Sequence, residues 1–109
     1  MPKVTMSPDQ LVRNIKAEIE SLVLLYAQGS EGQTEIGTKL DSLNLSPQLK
    51  TEVVSLIEQA IKESTYNLIS GLEGSASLAG TQETYKITDE SGNELSGELD
   101  ALFYEQVME

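Results

Sequence analysis

Two Ser-Pro pairs, Ser7-Pro8 and Ser46-Pro47, each stand directly ahead of a long apolar stripe of helical spacing. This repeated start signal constrains the fold more than any other feature of the chain. A serine at the N-cap accepts a hydrogen bond from a backbone N–H of the first turn, and proline suits the first helical position because its missing N–H would have no partner there. Gln10 falls where a capping box places Glu or Gln. Behind the first pair, Leu11, Val12, Ile15, Ile19, Leu22, Val23 and Tyr26 recur at three- and four-residue intervals and form one continuous face. Gly29, supported by Ser30 and Gly32, ends that face, so the pattern predicts a helix over 7–29. Leu24 and Leu25 widen the apolar arc in its last turns and predict burial on more than one side. Behind the second pair the stripe is Leu49, Val53, Leu56 or Ile57, Ala60 or Ile61, Leu68 and Leu72, a helix over 46–72 bracketed at its end by Gly71 and Gly74. Ile36, Leu40 and Leu43 give the connection a short helix over 34–44, weakened by Gly37. Two helices of about 20 residues joined in this way pack antiparallel most simply.

The final third changes period. Thr84, Tyr85, Lys86, Ile87 and Thr88 alternate in polarity and are β-branched or aromatic, as in a half-buried strand. Asp89-Glu90-Ser91-Gly92 suits a turn with glycine in a left-handed position, and a β-hairpin over 83–96 is expected. Ser96 then caps a last helix over 97–108, with Glu98 and Asp100 in its first turn and Leu99, Leu102, Phe103 and Val107 on its inward face. The expected fold class is α+β, predominantly α, in a single domain over 1–109, a length typical of one domain. Phe103 and four tyrosines are the only aromatics, so the core is expected to be aliphatic.

The net charge of −11 is unevenly spread. Residues 1–70 carry a net −3, whereas 71–109 carry nine carboxylates against Lys86 alone, a net −8. A nucleic-acid partner calls for a Lys/Arg footprint that this chain lacks, and anionic membrane surfaces are disfavoured for the same reason. The longest uninterrupted apolar run, Leu22 to Ala27, falls far short of the roughly 20 residues a membrane span needs. The first residues lack the basic segment and apolar stretch of a secretory leader, and with no cysteine in the chain the expectation is a cytoplasmic protein. A basic partner would be attracted, unless the charge serves solubility alone. The residues expected to meet such a partner are Glu73, Glu83, Asp89, Glu90, Glu94, Glu98 and Tyr104.

Histidine and cysteine are both absent, which removes the commonest general base, the thiolate nucleophile and the usual soft metal ligands. No spacing singles out a carboxylate pair among the 18 acids. The oxygen-rich run Asp89–Glu94 fails the calcium-loop pattern, since its glycine comes fourth rather than sixth. Gly71-Leu72-Glu73-Gly74-Ser75 has glycines but no following Lys or Arg, and reads as a helix end rather than a phosphate cradle. The expectation is therefore a protein that is not an enzyme, with no catalytic residues, no metal ligands and no cofactor.

The stretch Tyr66-Asn67-Leu68-Ile69-Ser70-Gly71-Leu72-Glu73-Gly74, followed by a turn-rich segment and by Leu99-x-x-Leu102-Phe103-Tyr104-Glu105, resembles a pattern in small uncharacterised acidic bacterial proteins. The resemblance covers about 45 residues and implies a helix-hairpin-helix arrangement in an immunity- or antitoxin-like protein; it transfers no functional residues. The leading expectation is an acidic binding protein that masks a basic partner such as a toxin enzyme. One alternative is a structural or regulatory subunit forming homo-oligomers through its amphipathic helices, with the arc at Leu22–Tyr26 as contact. The other is a small-molecule-binding or enzymatic domain with a cavity between helices and hairpin.

Overall fold

A computed structural model describes residues 6–109. The reading of the leading residues for a secretory signal lies outside that range. Among these residues four α-helices run in chain order: α1 Pro8–Ala27, α2 Glu35–Ser42, α3 Pro47–Glu73 and α4 Leu99–Phe103. A 3-10 turn, Gly29–Gly32, separates α1 from α2, and one π-helical turn, Tyr104–Met108, continues α4. Both Ser-Pro pairs start helices through the same contact. Ser7 Oγ accepts from the Gln10 amide at 3.1 Å, and Ser46 Oγ accepts from the Leu49 amide at 3.2 Å. The described chain falls into two compact units, Ala17–Lys62 and the remainder up to Lys16 together with Glu63–Glu109.

In the Ala17–Lys62 unit, Ile19, Val23 and Leu40 are the buried apolar side chains. Thr34 caps α2, its hydroxyl accepting from the Gly37 amide at 2.9 Å. Gly37 has to be glycine for a packing reason, since a Cβ there would collide with the carbonyl oxygen of Gly29. Asp41 draws the 3-10 turn onto α2, its carboxylate accepting from the Ser30 amide at 2.7 Å, and Lys50 Nζ stands 3.5 Å from the same carboxylate. The expectation that the end of α1 is buried on more than one side is corrected here. Leu24 is 61% exposed and Leu25 36%. Leu24 follows the buried Val23 by one residue, so it lies roughly 100° round the helix from the covered stripe.

The other unit holds the larger core. Val12 and Phe103 are completely enclosed, with Leu99, Leu95, Ile69 and Val107 buried beside them. The expected aliphatic core is therefore organised round the chain's one phenylalanine, whose ring stacks with Tyr66 at a centroid distance of 6.3 Å. Gln106 Nε2 donates to Asp9 Oδ1 at 2.7 Å and ties the chain's last turn to the start of α1.

The expected α+β class and its β-hairpin over 83–96 are overturned: the described residues are helical and contain no β-strand. Among the described residues two isolated bridges occur, Leu78 with Thr81 and Thr88 with Glu94. The turn at Asp89–Gly92 does form, closed by the Gly92 amide donating to the Asp89 carbonyl at 3.1 Å. What fails is the ladder behind it. The Tyr85 amide donates to the carbonyl of Leu72 at the end of α3, and the Ile87 amide donates to the Ser96 hydroxyl. Two rungs do form, the Asp89 amide donating to the Asn93 carbonyl at 3.0 Å and the Leu95 amide to the Ile87 carbonyl at 2.7 Å, but the Tyr85 and Ile87 donors that would extend the pairing are engaged elsewhere. The alternating face is also thinly covered, for Tyr85 is exposed and Ile87 only half-buried.

Phe103→Ala is expected to lower unfolding stability by about 3–5 kcal/mol, the range for an enclosed phenylalanine. Leu24→Ala, at an exposed site, is expected to change it by less than about 0.5 kcal/mol. Urea melts of the two variants beside the parent chain measure both.

Candidate functional site

The acidic C-terminal third is built on the end of α3. Glu73 is half-buried and closes the last turn of that helix. Its carboxylate accepts one hydrogen bond from the Gly97 amide and a second, at 2.7 Å, from the Asp100 amide at the start of α4. A carboxylate placed on unpaired N–H groups at a helix N-terminus is favoured by both hydrogen bonding and the helix dipole. Asp100 is fixed in turn by Ser75, whose hydroxyl donates to Asp100 Oδ2 at 2.7 Å. That hydroxyl first of all, then the neighbouring Glu73 side chain and the Ala101 amide, hold the Asp100 carboxyl below its ordinary 3.8, against partial burial that pushes it up.

Of the seven residues expected to meet a partner, the structure sets two apart. Glu73 is engaged as described. Asp89 organises its own turn: Oδ1 accepts from the Ser91 and Asn93 amides, each at 2.9 Å, and Oδ2 from the Asn93 side chain at 3.0 Å. Glu94 accepts from the Ser96 hydroxyl at 3.2 Å yet remains exposed, as are Glu83, Glu90 and Glu98. Glu98 occupies the N-cap of α4 without a capping bond from its side chain. Tyr104 is half-exposed, with its ring 5.7 Å from that of Tyr66. Glu83, Glu90, Glu94 and Glu98 thus lie on an irregular segment pinned at Leu72, Gly74 and Glu73, with their side chains exposed to solvent.

Other features emerge only in three dimensions. Asp41 is one: the Ser30 amide above all, then the Ser30 hydroxyl and Lys50, hold its carboxyl below 3.8. Its signal in the sequence is no more than an acid eleven residues beyond a serine. Ser70 is another, with its hydroxyl buried and without a hydrogen-bond partner while its carbonyl accepts from the Ser75 amide, the Ser75 hydroxyl and the Ala76 amide. A shallow open depression in the Ala17–Lys62 unit is lined by Gln33, Thr34, Glu35, Thr38 and Lys39. No group of three or more metal-ligating side chains occurs among the described residues, and no helix among them is long and apolar enough to cross a membrane.

Compared with protein-family models, curated proteins and solved structures, the chain has no match.

Glu73→Ala is expected to cost about 2 kcal/mol of stability, because it removes a charged acceptor from two amides. Glu98→Ala is expected to cost less than about 0.5 kcal/mol in the same urea titration. The lowered carboxyls also give a pH dependence. A group whose pKa is lower folded than unfolded adds stability that is complete above its unfolded value and is lost as pH falls through the folded one. The Asp41 and Asp100 contributions are therefore present above 3.8 and disappear below it. Asp100→Asn is expected to flatten the acid limb of a stability-against-pH curve below about pH 4, since its amide oxygen accepts from Ser75 at any pH.

Proposed function

We propose that the protein is a non-catalytic binding module that takes a basic protein partner on the acidic face of its C-terminal third and masks it, as an immunity or antitoxin protein does. The observation that carries this reading is the exposure to solvent of four acids on one short segment. Glu73, Asp89 and Asp100 bond within the chain. Glu83, Glu90, Glu94 and Glu98 are exposed in a segment where Lys86 is the only cation. A single-signed, exposed cluster of this kind raises association rates with an oppositely charged protein toward about 10⁸–10⁹ M⁻¹s⁻¹ at low salt. Half-exposed Tyr104 offers an apolar body with a polar tip, the kind of side chain that anchors protein interfaces. A cytoplasmic setting, where thiols stay reduced, suits a chain without cysteine.

Capture from lysate tests the reading, using the parent chain and a variant with Glu83, Glu90, Glu94 and Glu98 all changed to Lys. The parent is expected to retain a basic protein whose affinity falls as salt rises, and the charge-reversed variant to bind it at least about 10-fold more weakly. Retention of nothing basic, or equal retention by both chains, would overturn it.

A further inference from the structure

The loop that leaves α3 is tied to the end of that helix at two places. On its near side the Ser70 carbonyl accepts from the Ser75 amide at 3.1 Å, the Ala76 amide at 3.2 Å and the Ser75 hydroxyl at 3.2 Å. On its far side Gln82 Nε2 donates to the Gly74 carbonyl, and the Tyr85 amide donates to the Leu72 carbonyl at 2.8 Å. Residues 77–81, between these ties, are held in another way. Leu78 and Thr81 bond to each other, amide to carbonyl in both directions, at 2.9 Å. Among the described residues no hydrogen bond runs from this stretch to α3.

What seats the stretch is a single side chain. Leu78 is its one large apolar residue and is half-buried. It lies over the bare backbone of Gly71, close enough that a Cβ there would stand 3.1 Å from both Cβ and Cδ1 of Leu78. The turn that carries Leu78 works against this seating. Its two central residues, Ala79 and Gly80, have φ of +50° and +81°. A two-residue turn with positive φ at both positions favours Asn-Gly, because asparagine and glycine tolerate the left-handed region where an alanine Cβ crowds the backbone. Here the first position is alanine, and both tip residues are exposed, so no packing compensates for it. One half-buried leucine therefore opposes both a left-handed alanine and the conformational freedom of five residues.

We propose that residues 77–81 form a flap that lifts from Gly71 as a unit while the ties at Ser75–Ala76 and Gln82–Tyr85 hold. Ala76 and Gln82 are its fixed ends, and the paired amides of Leu78 and Thr81 move with it. Lifting places the Leu78 side chain and the bare Gly71 backbone in solvent together, an apolar surface that the closed chain does not present. The acidic segment beyond Gln82 stays where it is, so the flap works whether or not a basic partner binds there.

Amide exchange followed by NMR at several urea concentrations below the unfolding transition tests the proposal. In the parent chain the Leu78 and Thr81 amides are expected to exchange at least about 10-fold faster, relative to their intrinsic rates, than those of Ser75, Ala76 and Tyr85. Their exchange is expected to depend little on urea, because lifting five residues exposes little surface. Gly71→Ala, which crowds Leu78, is expected to speed exchange at Leu78 and Thr81 by about 10-fold. It is expected to leave the urea midpoint nearly unchanged, since alanine favours the helix that glycine weakens. Ala79→Asn, at an exposed position, is expected to slow the same two amides by about 5-fold and to leave Ser75, Ala76 and Tyr85 as they were. That variant keeps the test decisive where Gly71→Ala disturbs α3 itself. Equal protection and equal urea dependence of Thr81 and Tyr85 in the parent would overturn the proposal. So would an Ala79→Asn chain whose Leu78 and Thr81 amides exchange as in the parent.

Discussion

The carboxylate of Glu73 is the interaction on which the C-terminal third depends. It reaches amides 24 and 27 residues further along the chain and fixes the start of α4 beside the end of α3. Between those points the chain pairs with itself only at two isolated bridges, Leu78 with Thr81 and Thr88 with Glu94. The Tyr85 amide goes to the Leu72 carbonyl and the Gln82 side chain to the Gly74 carbonyl, so the loop is tied back repeatedly to one helix end. With α4 held there, Leu99 and Phe103 enter the core. A helix of five residues is too short to be stable alone, which is why its position must be imposed from outside.

Some carboxylates accept hydrogen bonds that organise turns and helix starts, as at Asp41, Glu73, Asp89 and Asp100. Others are exposed on the segment those bonds hold in place. Net charge by itself governs solubility and association and says little about the fold. Here the fold determines which part of that charge is presented.

The starts of α1 and α3 were legible because each depends on adjacent residues: a serine oxygen, a proline and the amides of one turn. The last helix was misplaced, for Ser96 accepts from the Ile87 amide and α4 begins at Leu99 behind Glu98, which makes no capping bond. The hairpin was misread because alternation describes side chains only. It carries no information on whether the Tyr85 and Ile87 amides meet another strand or, as here, the Leu72 carbonyl and the Ser96 hydroxyl. Along α3, the choice between Leu56 and Ile57 and between Ala60 and Ile61 could not be made from period alone. Both members of each pair fit a helical stripe, and only the packing shows the second of each to be the better covered. Gly71 was misassigned with Gly74 as a helix terminator. It lies inside α3 and is buried, and a Cβ there would sit 3.1 Å from the Leu78 side chain. Among the expected partner residues, the engagement of Glu73 with residues 97 and 100 is a long-range contact that no local pattern encodes.

Amide hydrogen exchange, resolved by residue, tests the dependence on Glu73 most directly. In the parent chain the Gly97, Asp100 and Tyr85 amides are predicted to be protected well beyond their intrinsic rates. In Glu73→Gln all three are predicted to lose most of that protection together, while amides of α2 keep theirs. If Gly97 and Asp100 stay as protected in the variant as in the parent, the C-terminal third is held by something other than this carboxylate, and the account given for it is wrong.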